Sequence, residues 1–120
     1  MKILTAAEMR EVDRLTTERY HIPGILLMEN AAARVAEAIA DQVDDPAALR
    51  ALIICGRGNN GGDGAALARQ LYLRGASVLI LLLGRVEEAR GDARLNFEIV
   101  RQVAAAAGED FRLVEVETVE

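Results

Sequence analysis

Apolar positions in the first part of the chain recur at intervals of three and four, which is the spacing of one face of an α-helix. Thr5 and Glu8 fit a capping box, in which each side chain accepts a hydrogen bond from the other residue's backbone N–H. Apolar residues follow at helical spacing, namely Met9, Val12 and Leu15. This pattern predicts a first helix from Ala6 to Arg19.

A second helical pattern follows Ile22-Pro23-Gly24 and predicts a helix from Gly24 to Val43. Its expected apolar face consists of Leu27, Ala31, Val35, Ala38 and Ile39. The helix should end at Asp44-Asp45-Pro46, because these residue types favour turns.

Beyond residue 50 the pattern changes to short apolar runs that alternate with helical segments. Three predicted strands are Ala51–Cys55, Ser77–Leu83 and Phe111–Val119. Between the first two strands lie a glycine-rich turn, 56–64, and a helix to Arg74 with Leu67 and Leu71 inward and Gly75 as its stop. After a polar loop, 84–91, Asp92 should cap a helix that carries Leu95, Ile99 and Val103 and ends at Gly108.

The order β-α-β-α-β predicts an α/β fold with a parallel sheet and helices on its faces, because crossovers between parallel strands are right-handed. The two leading helices should cover apolar surface, most simply a face of the sheet. Three strands are few for such a sheet. We therefore expect either one half of a larger α/β domain or a sheet that a partner chain completes.

Composition narrows the class of partner. The 120 residues carry 14 Lys and Arg against 19 Asp and Glu, a net charge of −5, which argues against a nucleic-acid backbone as ligand. No apolar run reaches the length of a membrane span, and the start lacks the apolar segment of a secretory signal. Cys55 is the single cysteine, so an intrachain disulfide is excluded. We expect a cytoplasmic protein without a membrane or nucleic-acid partner.

The segment 56–64, Gly-Arg-Gly-Asn-Asn-Gly-Gly-Asp-Gly, is the strongest candidate site in the chain. Glycines let a ligand approach the backbone, and the start of the next helix offers unpaired N–H groups and a partial positive charge. This context predicts binding of a phosphate or nucleotide. The alternative is a tight turn without a ligand.

Neighbouring residues leave several roles open. Gly56, Gly58 and Gly61 match the dinucleotide fingerprint, but Gly84-Arg85 stands where a ribose-binding acid should end the second strand. Arg85 is a candidate for a 2′-phosphate or a solvated arginine. The remaining polar residues have two readings each: Asp63 caps the helix or contacts ribose, and Asn59 and Asn60 shape the turn or offer amide oxygens to a hard cation.

The run Cys55–Gly64 resembles the signature of the NAD(P)H-hydrate epimerase family, the YjeF N-terminal domain. The segments Thr5–Asp13, Gly24–Ala32 and Arg90–Ala93 resemble other blocks of that family. The resemblance covers nearly the whole chain but only the first half of the family domain. It implies that residues 1–120 are the amino-terminal portion of a single domain.

The resemblance implies a Rossmann-like, three-layer α/β/α fold with a mainly parallel sheet and two leading helices, incomplete in this chain. It implies an isomerase that interconverts the R and S epimers of hydrated NADH and NADPH, for repair by a partner dehydratase. The residues it assigns to the dinucleotide are Asn59, Asn60, Gly61, Gly62 and Asp63. It also implies a potassium ion, with Asn60 as a ligand.

The family's catalytic aspartate has no counterpart here, so the catalytic residue stays unassigned and we expect full activity to need residues beyond Glu120. We interpret Glu29 and Asn30 as packing or capping residues, Cys55 as a core residue, and His21 as a weak candidate for catalysis. The alternative function is a non-catalytic module that dimerises or binds another protein. On either reading we expect a homodimer.

Overall fold

The computed structural model describes residues 5, 7–8, 11–12, 14–15 and 21–117. Its helices are α1 (Gly24–Asp41), α2 (Asn59–Leu73) and α3 (Gly91–Ala107), and its strands are β1 (Arg50–Cys55), β2 (Ser77–Leu83) and β3 (Phe111–Val116). Short 3₁₀ turns occupy Pro46–Ala48, Val86–Glu88 and Gly108–Asp110. No helix among the described residues is long and apolar enough to cross a membrane.

The opening segment confirms the predicted capping box. The Thr5 hydroxyl accepts from the Glu8 N–H at 3.1 Å, and the Glu8 carboxylate accepts from the Thr5 N–H at 3.1 Å. The described residues between 7 and 15 are helical. The other positions of the predicted helix, Met9 among them, lie outside the described residues.

The sheet confirms the α/β class. Strand order is β1-β2-β3 and both pairs are parallel, with Ile53 opposite Ile80 and Ile80 opposite Leu113. With this order, two right-handed crossovers place α2 and α3 on the same face of the sheet. The two helices contact each other there, so the described helices supply one helical layer of the expected three-layer fold.

The core lies between that face and the helices. Alternate strand residues point into it, and the largest fully buried apolar side chains are Phe97, Phe111, Ile80, Leu82, Val86 and Val100. Val86 comes from the predicted polar loop, so this loop is anchored in the core by its 3₁₀ turn. Leu71 is buried as predicted, and Gly75 ends α2 with a φ of +97°.

The opposite face of the sheet is apolar and uncovered by described residues. Leu52 and Ile54 of β1 are 59% and 62% exposed, and Leu83 and Val114 are also exposed. The predicted cover from the second leading helix is wrong, because α1 packs on α2 instead.

Helix α1 therefore buries a different stripe from the predicted one. Ala32 and Ala36 are buried, whereas Ala31, Val35 and Ala38 are exposed. The small side chains at these two buried positions let neighbouring helices approach closely.

Two features of α3 also differ from the sequence prediction. The helix begins at Gly91, so Asp92 lies inside its first turn and is not the N-cap. Leu95 and Ile99 are exposed, while the buried side is Ala93, Asn96, Phe97 and Val100. The other elements end within a few residues of their predicted bounds. The first of them, α1, ends at Asp41 and not at Val43, and β3 ends at Val116 and not at Val119.

Candidate functional site

The glycine-rich segment lies at the carboxyl ends of the parallel strands, where open α/β sheets bind their ligands. β1 ends at Cys55, and Gly56, Arg57 and Gly58 lead directly into α2. Gly58 is the N-cap, with extended backbone (φ −85°, ψ −168°) and no side-chain hydrogen bond to the helix end. The segment is therefore much shorter than the predicted turn.

Helix α2 begins at Asn59, so the residues predicted to bind the dinucleotide lie in its first turns. Asn59, Asn60 and Asp63 are exposed. Asp63 comes four residues after Asn59 and three after Asn60, so the three side chains lie on one side of the helix. The Gly62 N–H donates to the Gly58 carbonyl at 3.0 Å. The N–H groups of Asn59, Asn60 and Gly61 precede that first helical bond and point out of the helix end.

Asp63 is the fifth residue of this helix, counted from Asn59. A capping side chain acts from the residue that precedes the first turn, and Gly58 holds that position. Asp63 is therefore not the N-cap residue of this helix. It is exposed, as Asn59 and Asn60 are.

Packing alone explains three glycines of the segment. A Cβ on Gly61 would lie 1.7 Å from the Gly56 carbonyl oxygen, and one on Gly62 would lie 2.8 Å from the Ala93 Cα. A Cβ on Gly64 would lie 2.8 Å from the Cys55 Sγ. These glycines let α2 approach β1 and α3, and none has a positive φ.

Gly56 and Gly58 are different, because a Cβ on either would meet no atom within 4 Å. Neither has a positive φ, so no turn geometry requires glycine there. The open space beside their backbone adjoins the uncapped end of α2. Backbone N–H groups and room for a close approach are what a phosphate group needs.

Arg57 joins this segment to the loop after β2. Its Nη1 donates to the Glu88 Oε2 at 2.5 Å, and both side chains are about half exposed. The aliphatic part of Arg57 lies over Gly84, where a Cβ would be 2.6 Å from the Arg57 Cδ. Gly84 has a φ of +131°, so two independent constraints favour glycine at the end of β2.

A partly buried polar cluster ties the three helices together below the site. The Arg69 guanidinium pairs with Glu29 of α1 and donates to the Asn96 Oδ1 of α3 at 2.7 Å. Gln70 also donates to Glu29, and the Asn96 amide donates to the Met28 sulfur at 3.0 Å. Glu29 thus has the structural role predicted for it, whereas Asn30 is exposed.

Sequence reasoning missed Asn96 and Arg69. Asn96 is fully buried, and burial of an amide requires partners that only the folded helices provide. A polar residue between Leu95 and Phe97 was the only local signal. Partial burial raises the pKa of Glu29, but the hydrogen bonds from Arg69 and Gln70 and the charge of Arg69 outweigh it, so this pKa lies below its ordinary value of 4.5.

The amino-terminal ends of the helices meet beside the glycine segment. Gly62 of α2 lies against Ala93 of α3, and a Cβ on Gly24, the first residue of α1, would lie 2.8 Å from the Asp92 Oδ2. Helix N-termini carry partial positive charge, so their convergence favours an anionic ligand or side chain nearby. Asp92 supplies one such carboxylate.

The other candidates from the sequence have structural roles or lie apart. Cys55 is buried, and burial raises the pKa of its thiol to about 11, so it is a core residue as predicted. His21 is exposed just before α1 and has a φ of +55°, a conformation that histidine adopts more often than most residues. Arg85 is exposed, with its Nε 3.9 Å from Glu117.

A second concavity, of about 450 Å³, lies at the opposite end of the sheet. It is lined by residues that include Arg50, Ser77, Asp110 and Arg112, and the Ser77 hydroxyl donates to Asp110 at 3.2 Å. The amino ends of parallel strands are not where such sheets bind ligands, so the glycine segment is the better candidate. The described residues contain no group of three His, Cys, Asp or Glu side chains placed to hold a metal ion.

The fold and the segment match one protein family. The family described as "YjeF-related protein N-terminus" matches residues 24–116, which include every described helix and strand from α1 to β3.

Similar curated proteins include the bifunctional NAD(P)H-hydrate repair enzyme Nnr of Moorella thermoacetica, 52% identical over 86% of this chain and 20% of that protein. The NAD(P)H-hydrate epimerase of Rhodopirellula baltica is 41% identical over 92% of this chain and 43% of that protein. The NAD(P)H-hydrate epimerase of Rhodobacter capsulatus is 43% identical over 88% of this chain and 52% of that protein. The chain thus spans between a fifth and about half of these relatives.

The two kinds of glycine predict opposite responses to alanine. Gly61→Ala should lower the free energy of unfolding by about 1–3 kcal/mol, because the new Cβ meets backbone that cannot move aside. Gly56→Ala should change it by less than about 1 kcal/mol, since its Cβ enters open space. Urea denaturation of both variants measures the difference. Equal losses would contradict the assignment of Gly61 to packing.

The Glu29 cluster predicts a loss of stability in acid. A depressed pKa means that the stabilisation is present above pH 4.5 and is lost as pH falls through the lower, folded-state pKa. Glu29→Gln should be less stable at pH 7 and should lose less stability between pH 5 and pH 3 than the unsubstituted chain. Glu37→Gln, an exposed change on the same helix, is the control. Urea denaturation across this range tests it, and parallel profiles for all three chains would refute it.

Proposed function

The chain belongs to the YjeF N-terminal family of NAD(P)H-hydrate epimerases, and from this premise we propose that it supplies the dinucleotide-binding part of such an epimerase. The reaction is the interconversion of the R and S epimers of hydrated NADH and NADPH. No residue of this chain is assigned as the catalytic acid or base. Its contribution is to bind and orient the dinucleotide.

The observation that supports this proposal is the open backbone at Gly56 and Gly58 beside the uncapped start of α2. The pyrophosphate binds there through the N–H groups of Asn59, Asn60 and Gly61. The helix dipole stabilises its negative charge. Gly61 and Gly62 act mainly by letting α2 sit close to β1 and α3, which places these donors at the end of the sheet.

The exposed side chains of Asn59, Asn60 and Asp63 bind the parts of the ligand beyond the pyrophosphate. Amides donate and accept hydrogen bonds, and a carboxylate accepts from ribose hydroxyls. Asp63 lies one turn inside the helix, on the same side as Asn59 and Asn60.

Potassium fits one feature of this site. The Asn60 amide is exposed in the first turn of α2, and amide oxygens are ligands suited to hard cations. We assign Asn60 as a ligand of a potassium ion beside the substrate. When bound, the ion supplies positive charge next to the phosphates and the ribose.

A dehydratase is the functional partner in this proposal, because epimerisation is useful when a second enzyme consumes one epimer. Two modes of partnership are open to the family, a separate enzyme or a fused one. The similar protein of Moorella thermoacetica is named a bifunctional repair enzyme.

Calorimetric titration with NADP in potassium buffer tests the binding site. The unsubstituted chain should bind NADP, and Gly56→Val should bind at least about tenfold more weakly, a loss of about 1.4 kcal/mol. The Cβ of the valine enters the space that the pyrophosphate needs and has no protein atom within 4 Å, so the fold should persist. Ala105→Val, an exposed change at the far end of α3, is the matched control and should bind normally.

Two outcomes would contradict the proposal: no binding by the unsubstituted chain, or equal binding by Gly56→Val. Replacing potassium by sodium should weaken NADP binding by the unsubstituted chain. Asn60→Ala should bind weakly in both salts, and an unchanged salt response in this variant would refute the potassium assignment alone.

Self-association is a second candidate function with one observation in its favour. The uncovered face of the sheet exposes Leu52 and Ile54, and β1 has no other described strand on its outer edge. Exposed edges and apolar faces pair readily with a second copy of the same chain. Light scattering coupled to size exclusion should then show a dimer, which Ile54→Lys converts to a monomer. A monomer at all concentrations of the unsubstituted chain would rule out this function.

A further inference from the structure

We propose that Arg57 is a specificity-determining residue that binds the 2′-phosphate of the ligand, so that the site prefers a 2′-phosphorylated nicotinamide dinucleotide over its unphosphorylated form. This inference rests on the proposed function and names the substrate class that the site selects.

The first observation behind this proposal is the position of the Arg57 side chain. In dinucleotide-binding sheets an acid at the end of the second strand binds the ribose 2′-hydroxyl, or a nearby arginine accommodates a 2′-phosphate. Here β2 ends at Leu83 and Gly84 follows without a side chain. The Arg57 side chain lies on Gly84, with its Cδ 2.6 Å and its Cγ 3.0 Å from the point where a Cβ would stand. The Arg57 Nε is 3.2 Å from the same point, so the side chain of an arginine lies where that of the acid would be.

The second observation is that the Arg57 guanidinium keeps hydrogen-bond donors available for a ligand. Among the described residues, its one hydrogen bond runs from Nη1 to the Glu88 Oε2. The Glu88 Oε1 accepts from the Arg85 N–H at 2.8 Å, so Glu88 is itself held in place and orients Arg57. Arginine has five N–H donors, and the half-exposed side chain leaves donors for a phosphate while the bond to Glu88 persists.

Arg85, the candidate from the sequence, lies differently. Its Nε is 3.9 Å from Glu117, the residue just after β3, and its side chain is 65% exposed. It is therefore directed to the β3 side, whereas Arg57 spans the ends of β1 and β2. Of the two arginines, Arg57 alone reaches from the glycine segment to the end of β2.

Titration of NADP and of NAD into matched variants tests the role of Arg57. The unsubstituted chain should bind NADP at least about tenfold more tightly than NAD, as expected for a guanidinium–phosphate pair. Arg57→Met should abolish this preference and change NAD affinity by less than about twofold. Arg85→Met should alter neither affinity.

The outcomes separate this inference from the proposed function. Equal affinity for the two dinucleotides, a preference for NAD, or an Arg57→Met variant that weakens both ligands equally would overturn the role of Arg57 and leave the dinucleotide site standing. Absence of binding of either dinucleotide to the unsubstituted chain would overturn the proposed function, and the inference with it. Matching urea denaturation curves confirm that Arg57→Met and Arg85→Met are folded.

Discussion

The close packing of α2 against β1 and α3 determines most of the structure around the candidate site. Its first two turns approach the end of β1 so closely that a single Cβ on Gly61 would overlap the Gly56 carbonyl. They approach α3 so closely that Gly62 touches Ala93. Because no side chain intervenes, the end of the helix is held at a fixed position beside the sheet, and its N–H groups point outward at the carboxyl ends of the strands.

That packing also explains the polar cluster inside the helical layer. Once α2 lies this close to α1 and α3, the side chains of Glu29, Arg69 and Asn96 face one another at low exposure. A partly buried ion pair is weak support for stability in itself, but loss of one partner leaves the other charge without compensation. The cluster therefore favours one arrangement of the three helices over alternatives of similar apolar burial.

Electrostatics at the end of the sheet follow from the same geometry. Helix N-termini converge there and favour anions, while Glu88, Asp92 and Asp63 place carboxylates nearby. Arg57 links the two sides, because it belongs to the glycine segment and pairs with Glu88 of the loop after β2. A site with this arrangement suits a ligand that carries both phosphate and hydroxyl groups, as a dinucleotide does.

The sequence by itself determined the order of the elements, the parallel α/β class and the position of the glycine segment between β1 and α2. Hydrophobic periodicity, helix caps and the Gly-Arg-Gly-Asn-Asn segment are local features of the sequence. They can be recognised without knowing which helices and strands pack against each other. Tertiary structure alone decided which face of α1 is buried, why Gly61 and Gly62 are glycines, and which arginine lies at the end of β2. These features depend on distances between segments far apart in the chain. A glycine can leave open space beside its backbone, as Gly56 does, or let a neighbouring helix approach closely, as Gly62 does, and only the packed neighbours distinguish the two.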